Sequence, residues 1–145
     1  MLLTNRFQAV EIPIPSGSTL TQFNFPDLPQ LTGQNGYPVI INAIEIYNSD
    51  TISASPVSGS TVASKTDIDK SFLTLYQGDL QTILNIPLNI LNRVQATNNP
   101  HPFVRQPFML NLENVSWTKS YVSLASAATN TGRVFAFGIH YSVGY

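Results

Sequence analysis

The chain has 145 residues and a mass of 15.9 kDa, which fits one domain over residues 1–145 that buries about 70% of its unfolded surface. Cysteine is absent, so disulfides, thiolate metal sites and thiol nucleophiles are excluded. Charged residues make up 10% and the net charge is −1, against about 25% charged in an average domain, which excludes a coiled coil, a charge-driven disordered tail and a polybasic nucleic-acid binder.

From the N-terminus, Met1–Arg6 lacks the long apolar core of a secretory signal. Val10, Ile12 and Ile14 then alternate with Ala9, Glu11 and Pro13, the period of two that marks a half-buried strand. Pro13 and Pro15 suit an edge strand or a strand end. Thr19–Phe25 reads as a second strand. In Val39–Tyr47, Ile40, Ile44 and Ile46 fall on one face, interrupted by Asn42, with Ile41, Ala43, Glu45 and Tyr47 on the other. Ser71–Tyr76 and Leu80–Ile86 are further strands. After Pro87, the residues Leu88, Leu91 and Val94 recur every three positions, so Pro87–Val94 reads as a short helix or 3₁₀ segment, with Pro at its first position. A strand running on through Pro87 is the competing reading.

Phe108, Leu110 and Leu112 alternate with Met109, Asn111 and Glu113. Lys119–Leu124 is a strand, and Phe135, Phe137, Ile139 and Tyr141 share one face of the last one. Turn-forming clusters separate these runs at Pro15–Ser18, Gly33–Gly36, Ser55–Ser60, Gln77–Asp79 and Asn130–Gly132, with a proline-stiffened loop at Asn98–Pro102. Irregular spacing with few tight hairpins predicts an all-β fold. The expected form is a single jelly-roll or Greek-key sandwich of about eight strands with one short helix. No run reaches the roughly 18 apolar residues of a membrane span.

Catalytic motifs are missing: there is no Gly-x-Ser-x-Gly elbow, phosphate loop or His-Glu-x-x-His. His101 sits in a proline-rich loop and His140 on the less apolar face of the last strand. Two isolated imidazoles do not make a metal site, which needs three or four convergent ligands. Asp67, Asp69 and Asp79 offer oxygen ligands of the kind calcium takes. They lack the glycine and closing glutamate of a calcium loop, and Lys65 and Lys70 compete for them, so a solvated loop is expected. Glu45 and Glu113 are a conceivable glycosidase pair, but both fit ordinary outward strand positions. Trp117 and the tyrosines could offer a sugar-stacking platform, although aromatics in a sandwich more often fill the core or an interface. Asn114-Val-Ser116 matches a glycosylation acceptor by chance. No catalytic, cofactor-binding or metal-ligating residue is assigned, and no cofactor is expected.

Ser, Thr and Asn total 40 residues, and must fill most outward positions. Hiding a hydroxyl or an amide in a contact costs less than hiding an unpaired charge. Such a surface suits extensive contacts on several sides, and apolar Met1–Leu3 could tuck into this subunit or a neighbour. A polycationic N-terminal arm is missing.

In their order along the chain, several segments resemble the jelly-roll capsid proteins of icosahedral, tailless phages. They are the Ile-rich strand at 39–46, Ser-Pro-Val-Ser-Gly at 55–59, Phe-Leu-Thr-Leu-Tyr-Gln-Gly-Asp-Leu-Gln at 72–81 and Ile-Pro-Leu at 86–88. Thr-Lys-Ser-Tyr-Val at 118–122 and the aromatic strand at 134–141 complete the series. The resemblance spans residues 37–145. It implies a non-enzymatic virion structural protein, a self-assembling subunit of either the major shell or the five-fold penton. Its partners would be copies of itself, other capsid proteins and, in some such particles, an underlying internal membrane, with no direct sequence-specific nucleic-acid binding. The alternative is a carbohydrate- or receptor-binding β-sandwich module of a phage spike or adhesin. An enzyme is the weakest reading, since a cupin-like metal site needs several histidines.

Overall fold

The period-two segments become strands in a computed structural model that describes residues 3–32, 38–47, 52–78, 82–91, 94–95, 103–104 and 107–144. In chain order the strands are β1 (Leu3–Pro13), β2 (Gln22–Asn24), β3 (Val39–Tyr47), β4 (Ser71–Gln77) and β5 (Thr82–Pro87), then β6 (Val94–Gln95), β7 (Phe103–Val104), β8 (Phe108–Glu113), β9 (Tyr121–Leu124) and β10 (Val134–Gly144). One sheet runs β1-β10-β3-β8 and the other β2-β9-β4-β5, while β6 and β7 form a small separate ribbon.

That order is a jelly roll. With the ribbon set aside, the chain is one long hairpin with β4 and β5 at its tip. The first strand pairs with the last, β2 with β9, β3 with β8 and β4 with β5, every pair antiparallel. Rolling this ladder up places alternate pairs in opposite sheets and buries both inner faces. The expected eight-strand sandwich is therefore present.

The core lies between the sheets. Val10, Ile12, Ile14, Phe135, Phe137 and Ile139 project from one side, and Phe23, Leu73, Leu75, Val122 and Leu124 from the other. Each such side chain contributes roughly 1.5–3 kcal/mol by leaving water. Phe25 bridges the layers, with ring centroids 5.2 Å from Trp117 and 5.4 Å from Phe137.

Several details differ from the sequence reading. In β3 the buried core residues are Val39 and Ile41, then Ile44 and Ile46, while Ile40 is only half-buried. The cause is a bulge: along β10, Tyr141 pairs with Ile41 and His140 with Ala43, and Asn42 is skipped. One extra residue moves the core face from odd to even positions. The first strand starts at Leu3, six residues before the alternation begins, because its first half is exposed on both faces. Conversely, β2 is shorter than Thr19–Phe25, and Lys119 ends a 3₁₀ turn (Trp117–Lys119) before β9.

The segment after Pro87 holds both competing readings in turn. Pro87 closes β5, and a 3₁₀ turn over Leu88–Leu91 follows with both leucines buried. The α-helix lies elsewhere, at α1 (Lys65–Asp69), where a loop was expected. Its start is a capping interaction: Ser64 Oγ accepts the Asp67 N–H at 3.3 Å. The predicted turn at Gly33–Gly36, the loop at Asn98–Pro102 with His101, and Asp79 lie outside the described residues.

Candidate functional site

The carboxylates singled out in the sequence do not converge. Glu45 faces outward from β3, opposite Gly138, whereas Glu113 is opposite Ile40 at the other end of the strand. Five residues along a strand is roughly 15 Å, well beyond the separation of about 5–9.5 Å that a glycosidase pair uses. Nor is Glu45 an ordinary exposed strand residue, being 5% exposed. Its side chain and the Phe7 ring lie over Gly138, where a Cβ would come within 2.8 Å of Phe7 Cε2 and 2.9 Å of Glu45 Oε1. Glycine is needed here for space.

His140 joins this cluster. Its ring meets Phe7 edge-on at 5.0 Å, and its Nε2 is 3.8 Å from Glu45 Oε2 without a hydrogen-bond partner among the described residues. Among the described residues, no three His, Asp or Glu side chains gather in a way that could hold a metal ion.

Asp67 overturns the expectation of a solvated loop: it is 0% exposed. The Thr129 N–H donates to its Oδ1 at 2.6 Å and the Asn130 N–H to its Oδ2 at 3.0 Å. Lys70 Nζ is 3.4 Å from Oδ1, and the Ser64 hydroxyl donates to Oδ2 at 3.2 Å. Burial pushes the carboxyl up, but the two backbone N–H donors, Lys70 and Ser64 outweigh it and hold Asp67 below its ordinary value. Lys70 also donates to the Ala127 carbonyl at 2.7 Å. The group therefore locks α1 to the 127–130 loop. Asp69, by contrast, makes an exposed i,i+4 pair with Lys65 at 3.1 Å.

Trp117 is a core residue, 2% exposed, with its Nε1–H donating to the Leu31 carbonyl at 3.2 Å. The tyrosines behave differently. Tyr121 pairs with Asn24 on β2 and Thr74 on β4, on the outer face of the second sheet, and Tyr76 is two residues beyond Thr74 on that face. The two rings approach to 6.3 Å with a 46° tilt. They border a cleft of about 470 Å³ with Gln22, Asn24, Thr118 and Lys119. No member of this group was singled out from the sequence beyond "the tyrosines". The available signal was their outward parity on two predicted strands.

Comparison with protein-family models, curated proteins and solved structures finds no match. Function must then be argued from the surfaces.

The outer face of the second sheet is built from Gln22 and Asn24, Ser123 and Tyr121, Phe72, Thr74 and Tyr76, and Asn85, with no ionic group among these strand positions. On the first sheet, the outer positions include Leu3, Phe7 and Met109, which are 52%, 48% and 69% exposed. Between them hydroxyls and amides bond to one another: Asn42 Nδ2 donates to Ser142 Oγ at 2.6 Å, and that hydroxyl donates to Asn5 Oδ1 at 2.8 Å. Even the Glu11 carboxylate is held by serines, Ser55 and Ser58, at 2.7 and 2.9 Å. The outer face of the second sheet is therefore uncharged at these positions, whereas that of the first sets Glu11, Glu45, Glu113 and His140 among its hydroxyl, amide and apolar side chains. Among the described residues, no helix is long and apolar enough to cross a membrane.

Proposed function

We propose that this chain is a virion structural protein, a single jelly-roll subunit that assembles with copies of itself into an icosahedral phage shell, as major capsid protein or five-fold penton. The observation that carries the reading is the outer face of the second sheet, which has no ionic group at Gln22, Asn24, Phe72, Thr74, Tyr76, Asn85, Tyr121 or Ser123. A face made of Ser, Asn, Gln, Thr and Tyr with one Phe can be covered by a neighbour without stranding charges. The jelly roll is an architecture that viral capsids use, although lectins and cupins use it too.

The proposed role is non-enzymatic, with contacts to copies, to other capsid proteins and, where the shell encloses one, to an internal membrane. No direct sequence-specific nucleic-acid binding is part of this role. Closed symmetry sets the copy number. Light scattering and electron microscopy of the purified chain test this: trimers, pentamers or larger particles are expected. A clean monomer at high micromolar concentration overturns it.

A further inference from the structure

We infer that the cleft bordered by Tyr76 and Tyr121 is a saccharide-binding site that takes a pyranose ring, open on any subunit whose second-sheet face is not covered by a neighbour. The cleft volume, about 470 Å³, falls within the roughly 300–1,000 Å³ of small-ligand clefts. Its walls combine two chemistries that a sugar ring also combines. Two aromatic rings in contact at a 46° tilt form a platform with apolar faces for ring C–H groups, each with a phenol at its edge. Beside Tyr121 on the next strand stand two amides, Gln22 and Asn24, each with a donor hydrogen not used within the cleft and Gln22 with its acceptor oxygen, for sugar hydroxyls. A purely apolar ligand would desolvate the amides without replacing their bonds, and a metal ion would find no carboxylate among the described lining residues.

The cleft is also pre-formed, which reduces the ordering cost of binding. Asn24 Nδ2 donates to the Thr118 carbonyl at 3.0 Å and Asn24 Oδ1 accepts from Gln22 Nε2 at 3.4 Å, so the amides are oriented. Beneath the rings, the Tyr76 N–H donates to Ser120 Oγ at 3.1 Å, and that hydroxyl donates to the Ser116 carbonyl at 2.8 Å. Ser116 N–H closes the loop on the Tyr76 carbonyl at 2.9 Å. Core filling does not account for the tyrosines, because the core aromatics Phe23 and Trp117 are on the inner side.

The test is saturation-transfer NMR on the full chain with methyl α-glucopyranoside, methyl β-galactopyranoside, N-acetylglucosamine and methyl β-glucuronide at millimolar concentration. The first three against the last separate neutral from acidic sugars. Transfer to ring C–H protons of at least one is expected, weakened about tenfold by Tyr121→Ala or Gln22→Ala. Gln22 is exposed on an edge strand, so its variant reports even if Tyr121→Ala does not fold. Silence from all four sugars, or transfer unchanged in both variants, overturns the site. Light scattering on the same samples reports assembly independently, so failure of one proposal is not failure of the other.

Discussion

Asp67 carries the largest concentration of polar bonds on a single buried side chain described in this fold. Two backbone N–H groups from the 127–130 loop, a lysine and a serine converge on one carboxylate. Asp67→Asn keeps the shape but turns an amide NH₂ towards N–H donors, and should cost about 2–4 kcal/mol in urea unfolding. The pH dependence follows from the lowered folded value. An unfolded aspartate titrates near 4, so the stabilisation is complete above that pH and is lost as pH falls through the lower folded value. The gap between wild type and Asp67→Asn should therefore be constant from pH 7 to about 5 and shrink below about 4. A gap that stays constant to pH 2 would show that the charge is not the source.

Gly138 poses a steric question instead. A methyl group there would lie 2.8 Å from the Phe7 ring and 2.9 Å from the Glu45 carboxylate. Gly138→Ala should lose about 1–3 kcal/mol. Adding Phe7→Ala should return part of that loss, because Phe7 is half-exposed and its removal relieves one of the two clashes. A double-mutant cycle measures the coupling, and strict additivity would mean that the ring does not press on this position.

At the scale of elements, the Asn42 bulge decides what β3 buries. With Ile41 inward, both Asn42 and Ala43 face out, so Ile44 and Ile46 return to the core and Glu45 stays outside. Deleting Asn42 removes the extra residue and leaves every other side chain on its own face. It should fold, losing about 1–2 kcal/mol with the bond to Ser142. Deleting Ile44 instead removes a core side chain and turns Glu45 inward, and should abolish cooperative unfolding. Circular dichroism with urea titration separates the two, and equal damage from both deletions would refute the bulge as the phase-setting device.

The same strand shows where sequence patterning fails. Val10–Ile14, Phe108–Leu112 and Phe135–Tyr141 were legible because one face meets the core and the other does not. In 39–46 nearly every residue is apolar, so one inserted residue leaves no mark on the pattern. Leu3–Phe7 was invisible for the opposite reason, pairing with β10 while exposed on both faces. At five residues, α1 is too short for a helical period, and Ser64 three positions before Asp67 was its only local sign. The partners that bury Asp67 come from 62 and 63 residues away. Likewise the Tyr76–Tyr121 cleft needs the β4–β9 pairing, which no local pattern specifies.

For the whole molecule, the sparseness of charge, 10% of the residues, makes a prediction about forces. The chain exposes 7737 Å², and an obligate contact of about 2,000 Å² would take about one-eighth of that from each copy. A subunit ringed by neighbours could therefore hide a large part of its surface with few charges to desolvate. Assembly held together by charge weakens as salt rises, because the screening length falls from about 10 Å at 0.1 M to about 3 Å at 1 M. Contacts made of hydroxyls, amides and apolar groups should keep their strength over that range. Sulfate, which is excluded from protein surfaces, should strengthen them. Sedimentation at increasing sodium chloride, then at matched ammonium sulfate, should give an association constant that is flat in the first series and rising in the second. A steep fall with sodium chloride would mean that the few ionic groups, such as Glu113 and Lys119 at the sheet margins, hold the copies together.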